Sequence, residues 1–167
     1  MKKLLFFTLL VVVMSSCRIS YSFRSTSIDY TINPTISIDH FINQSPLVFS
    51  PLEQRFNEAV QDMFTRNTRL QIIPNNASME LEGEIVGYTL TPLAVADDAF
   101  AAETRLTMSV RFRFRNNATE EPEQQQTISA NRVFPASVML DQVQDQLVEE
   151  LIREIVDQIF NATMTSW

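Results

Sequence analysis

Two stretches in which polar and apolar residues alternate, 80–90 and 103–115, place the strongest constraint on the fold. In an antiparallel pair of strands each side chain faces one residue of the neighbour, and a shift by one residue exchanges the two faces. One register satisfies both faces of this pair. It gives the pairs Glu80–Arg115, Glu82–Arg113 and Glu84–Arg111 on one face, and Leu81–Phe114, Gly83–Phe112 and Ile85–Val110 on the other. The sequence therefore predicts an antiparallel hairpin with one charged and one apolar face.

Two amphipathic helices are predicted, one before and one after this hairpin. The segment 50–64 carries apolar residues at spacings of three and four, which form one stripe on a helix. Ser50 suits the N-cap, Pro51 suits the first helical position, and Glu53 completes a capping box by reaching back to the Ser50 amide. The segment 140–162 repeats the helical spacing over its whole length.

Three further strands are predicted at 35–41, 70–73 and 125–134. The first two flank the first helix, and a strand–helix–strand order of this length indicates parallel neighbours. The third continues the antiparallel meander after the hairpin. The predicted fold is α+β, a two-layer sandwich in which two amphipathic helices pack on one face of a small mixed four- or five-stranded sheet.

The first 17 residues have the pattern of a secretory leader that ends at the only cysteine of the chain, Cys17. Two lysines precede an apolar run of ten residues, which rises about 15 Å as a helix and is too short for a permanent membrane span. The small residues before Cys17 resemble a bacterial lipobox, in which the thiol is acylated and becomes the first residue of the mature protein. Three parts of the chain are predicted: a leader at 1–16, a lipid-anchored tether at 17–34 and a single domain at 35–167.

The composition excludes several classes of partner and cofactor. The chain carries a net charge of −7, and loss of the two lysines of the leader makes it still more acidic, which argues against nucleic acid as a partner. Its two glycines, Gly83 and Gly87, exclude glycine-rich phosphate loops and dinucleotide motifs. No cofactor and no metal are expected; the covalent lipid on Cys17 is the one attached group.

Residues suited to catalysis are scarce. A nucleophile with a base needs a serine or cysteine near a histidine, and the only histidine, His40, follows the alternation of the first strand and is interpreted as a residue at the rim of the core. The glutamates of the hairpin have arginines available across the strands. Asp97 and Asp98 lie in a long loop without a metal-ligand pattern. No catalytic residue is predicted, and the protein is not expected to be an enzyme.

Binding is the remaining possibility, and one strand of the hairpin carries a basic row for it. The row consists of Arg105, Arg111, Arg113 and Arg115. These arginines either pair with the glutamate row or contact an anionic group, such as the headgroup of a lipid. The loop 91–104 is too long for a tight hairpin and is a second candidate contact element. Phe100 at its centre either meets a partner or docks back onto the domain.

Several segments, taken in order, resemble the LptE family of lipopolysaccharide-assembly lipoproteins in its Bacteroidetes form. They are "YSF" at 21–23, "TSI" at 26–28, "TISI" at 35–38, "SPLVFSPLEQRF" at 45–56, "LEGEIVGYTLTPLA" at 81–94 and the long final helix before Trp167. The resemblance implies a protein anchored to the inner leaflet of the outer membrane, on its periplasmic side. It also implies a plug inside the LptD β-barrel, which assists assembly of the barrel and delivery of lipopolysaccharide to the cell surface. The basic row and Phe100 are then candidates for contact with lipopolysaccharide or with the barrel.

Two other functions remain open on the sequence. The chain fits a lipid-anchored periplasmic module that binds anionic lipid or glycan without a barrel partner. An anchored hydrolase that depends on His40 is the more remote alternative.

Overall fold

The computed structural model describes residues 28–47, 49–93, 102–119 and 122–164. Within these ranges the chain forms six strands and two helices. In chain order they are β1 (Thr35–Ile38), β2 (Ile42–Asn43), α1 (Pro51–Asn67), β3 (Gln71–Ile72), β4 (Met79–Leu93), β5 (Glu103–Asn116), β6 (Gln124–Pro135) and α2 (Leu140–Met164).

The strands form one mixed sheet in the order β3-β1-β4-β5-β6, and β2 pairs with β4 as well. β1 is parallel to both of its neighbours, β3 and β4, and β2 is also parallel to β4. The predicted parallel pairing of the two strands around the first helix is therefore confirmed. The pairs β4–β5 and β5–β6 are antiparallel and form the predicted meander.

The register of the central hairpin agrees with the prediction at all six pairs. Glu84 faces Arg111 and Ile85 faces Val110, with the remaining four pairs as predicted. The register then shifts between Ile85 and Gly87, so that Tyr88 rather than Gly87 continues the apolar face. Tyr88 is fully buried there, and its hydroxyl accepts a hydrogen bond of 2.8 Å from the Gln144 amide of α2. The β-bulge extends the two faces along the whole hairpin despite the break in alternation.

The core lies between the apolar face of this sheet and the two helices. Each helix buries one stripe, and the two stripes comprise Leu52, Phe56, Val60 and Phe64 on α1 and Leu147, Leu151, Ile155 and Ile159 on α2. Full burial of one such side chain contributes about 1.5–3 kcal/mol. The predicted fold class, two helices packed on one face of a mixed sheet, is confirmed.

The first predicted strand, 35–41, is too long, because β1 ends at Ile38 and a separate short strand, β2, begins only at Ile42. Phe41 turns out of the strand and into the core, where its ring packs against Phe56 with centroids 5.3 Å apart. The Phe41 backbone is held by Asn57, whose side-chain oxygen accepts the Phe41 N–H at 2.8 Å and whose amide donates to the Phe41 carbonyl at 3.0 Å. This break raises the strand count to six, where four or five were predicted.

The predicted capping box at the start of α1 is also wrong. Ser50 has helical backbone angles (φ −51°, ψ −37°), and its side chain makes no capping hydrogen bond. Glu53 reaches β2 instead, where it accepts the Asn43 N–H at 2.9 Å and contacts His40 Nε2 at 2.8 Å. The carboxylate thus fastens β2 to the first turn of the helix.

Candidate functional site

The face of the sheet opposite the helices carries an Arg–Glu ladder, formed by three arginines of β5 and three glutamates of β4. Alternation directs all six side chains to the solvent side of the sheet. Arg111 lies 3.3 Å from Glu84, and Arg113 Nε donates to Glu82 at 2.6 Å. Arg115 is paired with Glu80. Each half-exposed pair contributes about 0.2–1 kcal/mol, which favours this register without building the core.

The ladder is most tightly bonded at Arg115. The pKa of Glu80 lies below its ordinary value because Arg115 donates a hydrogen bond to it, and Asn117 donates a second one. The same contact raises the pKa of Arg115. Glu123 adds a carboxylate 3.5 Å from Arg113 and 4.0 Å from Arg115. All three arginines on this half of the face are therefore paired within the protein itself, and the four glutamates outnumber them by one.

Arg105, the fourth member of the predicted basic row, stands in a different environment. In the register of the sheet it lies between Thr91 of β4 and Val133 of β6, neither of which carries charge. Arg105 is exposed and forms no ion pair within the described ranges. Val133 is itself exposed, with 42% of its surface accessible. The sequence did not reveal this difference, because the residue that stands opposite Arg105 depends on the β-bulge after Ile85.

Short uncharged side chains line most of the solvent face around Arg105, and we call them the hydroxyl patch; the exposed Glu103 lies two residues before Arg105 on the same face of β5. The patch consists of Gly87, Thr89, Thr91, Thr107, Ser109, Thr127, Ser129 and Asn131. Ser109 and Ser129 share a hydrogen bond of 2.7 Å between their hydroxyl oxygens. A Cβ atom at Gly87 would lie 3.2 Å from Ser109 Cβ, so any side chain at this position would contact Ser109. The solvent face is thus divided into a charged half and a half whose side chains are short and mostly uncharged.

His40 is a surface residue rather than a residue of the core rim. Its side chain is 62% exposed and pairs with Glu53. The pKa of Glu53 lies below its ordinary value, first because the Asn43 N–H donates to it and second because His40 bonds to it. A shallow cavity of about 410 Å³ separates His40 from the Arg–Glu ladder. No serine or cysteine hydroxyl or thiol is hydrogen-bonded to His40 among the described residues, so this arrangement lacks the partner that nucleophilic catalysis needs.

Asn57 is a positioning residue that the sequence analysis did not identify. It lies within the apolar stripe of α1, is buried, and holds both polar backbone groups of Phe41. A polar residue on the buried face of an amphipathic helix was the available signal. Its partner could not be inferred, because the contact joins residues that only the tertiary fold brings together.

Several predicted features lie outside the described residues: Cys17, the leader, most of the tether, Phe100 and Trp167. Across the described ranges, no group of three or more His, Cys, Asp or Glu side chains is arranged to hold a metal ion. None of the helices described there is both long and apolar enough to cross a membrane.

The fold and this surface define a class of protein: a small α+β sandwich with one sheet face buried under two helices and the other presented to solvent. The family model for LptE, described as lipopolysaccharide-assembly, matches residues 34–163. The chain belongs to the LptE family, and its role therefore lies in lipopolysaccharide assembly. The Bacteroidetes form of the family stays a prediction.

Solved structures with the same fold share little sequence with this chain. A hypothetical protein of Chlamydia trachomatis is 16% identical, with a TM-score of 0.54 that covers 77% of this chain and 96% of that protein. The rare lipoprotein B of Shewanella oneidensis is 16% identical, with a TM-score of 0.51 over 75% and 92% of the two chains. A Xanthomonas campestris protein reaches a TM-score of 0.56 at 10% identity, over 80% and 85%. No curated protein matches the sequence at a significant level.

Proposed function

We propose that this protein is a non-enzymatic plug and assembly partner of an LptD β-barrel, and that it assists transport of lipopolysaccharide to the outer membrane and its insertion there. The observation that carries the proposal is the match of the LptE family model to residues 34–163, which spans almost all of the described domain.

The distribution of polarity over the domain supports a plug. The interior of an outer-membrane barrel is polar, whereas its outer surface is apolar. A protein seated in such a lumen needs a largely polar exterior. Most of the solvent face of the sheet meets this requirement, with Val133 as an exposed apolar exception, and the outer face of the helix layer carries an ion pair of 2.8 Å between Arg55 of α1 and Asp145 of α2.

The proposed contact surface is the solvent face of the sheet together with the loop that follows β4. Its members are Arg105, Arg111, Arg113, Arg115 and Phe100. Arginine suits such a surface because its planar guanidinium can bind one carboxylate or phosphate group through two parallel hydrogen bonds. These residues would meet the barrel wall or lipopolysaccharide on its way through the barrel.

The proposed anchor is a set of acyl chains on Cys17, after removal of the leader 1–16. Each buried methylene contributes about 0.8 kcal/mol, so two or more chains hold a protein stably at a membrane. The tether 17–34 would then connect the anchor to the domain 35–167 on the periplasmic side of the outer membrane.

Depletion of the protein in its own cells tests this function. We expect loss of lipopolysaccharide from the cell surface and a fall in the amount of correctly folded barrel, since both depend on the plug. A Cys17→Ser variant should leave the membrane fraction and support neither. Normal surface lipopolysaccharide and normal barrel levels after depletion would refute the proposal. A monomer that retains lipid without a barrel would instead favour the independent lipid-binding module.

A further inference from the structure

The four arginines of the basic row are not equivalent, and the difference concerns how the proposed function is carried out. Three of them are paired with glutamates of the same sheet: Arg111 lies 3.3 Å from Glu84, Arg113 donates to Glu82 at 2.6 Å, and Arg115 pairs with Glu80. A partner that binds one of these three must break or share an existing ion pair. Arg105 has no such pair in the described part of the chain, because Thr91 and Val133 stand opposite it.

The surroundings of Arg105 favour a protein partner over a phosphate group. Phosphate groups are commonly bound by clusters of arginines, and the other arginines of the row are held by their own glutamates. A single guanidinium suits one carboxylate, which it can bind through two parallel hydrogen bonds. Val133 offers exposed apolar surface beside it, and arginine next to apolar area is typical of protein interfaces.

The shape and charge of the region point the same way. The hydroxyl patch consists of short side chains on the surface of a continuous sheet. Such a surface suits the wall of another protein better than a small ligand, which needs a concave site. The chain as a whole carries a charge of −7, which opposes its approach to an anionic lipid surface.

We propose that Arg105, set in the hydroxyl patch, docks the domain to a carboxylate on the inner wall of the barrel partner. This inference rests on the proposed plug function and adds to it the point of contact. The Arg–Glu ladder then serves mainly to hold the register of the sheet, and Arg105 is the member of the row that supplies the largest share of the docking energy.

A substitution at Thr91 tests this without removing the arginine. Thr91→Glu places a carboxylate opposite Arg105, as Glu84 stands opposite Arg111, and should neutralise it within the sheet. Thr91→Gln adds a side chain of the same size without charge and is the matched control. The dissociation constant is measured between the purified full-length lipoprotein and the purified LptD barrel in detergent micelles.

We expect Thr91→Glu and Arg105→Gln each to weaken barrel binding about tenfold, which corresponds to one charge-assisted hydrogen-bonded contact. Thr91→Gln should bind as the unaltered protein does, and Arg113→Gln should cause a smaller loss than Arg105→Gln. Raising the salt concentration from about 0.05 to 0.5 M should shrink the effect of Arg105→Gln, because salt screens exposed charges.

Four outcomes would overturn the inference. Equal binding by Thr91→Glu and Thr91→Gln would show that the charge of Arg105 is not used. A larger loss in Arg113→Gln would assign docking to the ladder. A lower melting temperature of Arg105→Gln with unchanged barrel binding would show that Arg105 stabilises its own domain and does not dock it. If Arg105→Gln weakens binding to phosphatidylglycerol vesicles but leaves barrel binding unchanged, Arg105 contacts a lipid surface instead.

Failure of the plug function is distinguishable from failure of this inference. If the unaltered protein does not bind the barrel, the function itself is refuted and the docking contact with it. If the unaltered protein binds and the variants bind equally well, the function stands and the role of Arg105 is refuted.

Discussion

A methyl group added at Gly83 tests how the broken strand packs against the sheet. A Cβ atom at this position would lie 2.3 Å from Phe41 Cε1 and 2.6 Å from the Arg111 carbonyl oxygen. Carbon atoms in contact stay about 3.5 Å apart, so the ring would have to move by about 1 Å. Phe41 cannot withdraw freely, because it is fully buried and Asn57 holds its backbone.

The expected cost follows from two opposing effects. Overfilling a packed core typically costs about 1–3 kcal/mol. Replacing glycine by alanine inside a strand offsets about 0.5–1 kcal/mol of this. We therefore expect Gly83→Ala to lower the free energy of unfolding by about 1–2 kcal/mol. Urea unfolding followed by circular dichroism measures this difference, provided that the free energy of unfolding falls with urea at the same slope for the variant and the unaltered protein.

The second glycine provides the matched control. A Cβ atom at Gly87 would meet only Ser109, at 3.2 Å from its Cβ and 3.3 Å from its hydroxyl oxygen, on the solvent face. The gain of about 0.5–1 kcal/mol from replacing a strand glycine by alanine should be offset only in part by this contact, so Gly87→Ala should keep or slightly raise the free energy of unfolding. A Phe41→Leu change should restore part of the stability lost in Gly83→Ala. Equal stability of the two glycine variants would refute the packing of Phe41 over Gly83.

Three further perturbations test other parts of the structure. Asn57→Ala leaves the buried N–H and carbonyl of Phe41 without partners and should cost about 2–4 kcal/mol in urea unfolding; a cost under about 0.5 kcal/mol would contradict the contact. The folded-state pKa of Glu80 is lowered by Arg115, so its contribution to stability is present above pH 4.5 and is lost as the pH falls through the folded pKa. Glu80→Gln should flatten the loss of stability in that acidic range, and an unchanged pH profile would argue against the pair. Arg132 bonds to two glutamates of α2 at 2.8 and 2.7 Å, and Arg132→Met should cost about 1 kcal/mol at low salt and less at high salt.

The hairpin register could be predicted because both strands carry information on both faces. Each of the six pairs matches in charge or in apolar character, so every shift by one residue is penalised at all six. The bulge after Ile85 was not predicted, although "IVGY" interrupts the alternation there. A bulge lets Tyr88 reach the core and Gln144, and that gain depends on a helix more than 50 residues further along the chain.

The break between β1 and β2 could not be read from the sequence for a similar reason. Residues 35–41 alternate well enough for a single strand, and nothing local marks Phe41 as a core residue. Its burial depends on the space over Gly83 and on the amide of Asn57. The predicted capping box does not form because Glu53 bonds to Asn43 of β2 and to His40 instead. Neither partner belongs to the local sequence motif from which the box was predicted.

The four arginines of the candidate site were predicted from the sequence, but the difference between Arg105 and the other three was not. The basic row was identified from alternation, with pairing to the glutamates as one of two readings, and three of its members are so paired. The separate position of Arg105 depends on where the bulge moves the register, since the pair Thr91–Arg105 lies beyond it. Side-chain identity alone could not reveal that this arginine lacks a carboxylate neighbour.

Purification of the tagged full-length protein from native membranes in mild detergent tests the central claim most directly. The claim is that this LptE-family domain works as the plug of an LptD barrel. We expect the barrel, identified by mass spectrometry, to co-purify in a one-to-one ratio and to remain bound through size-exclusion chromatography. A protein that elutes as a monomer from intact outer membranes, with the barrel recovered separately and fully folded, would contradict the account.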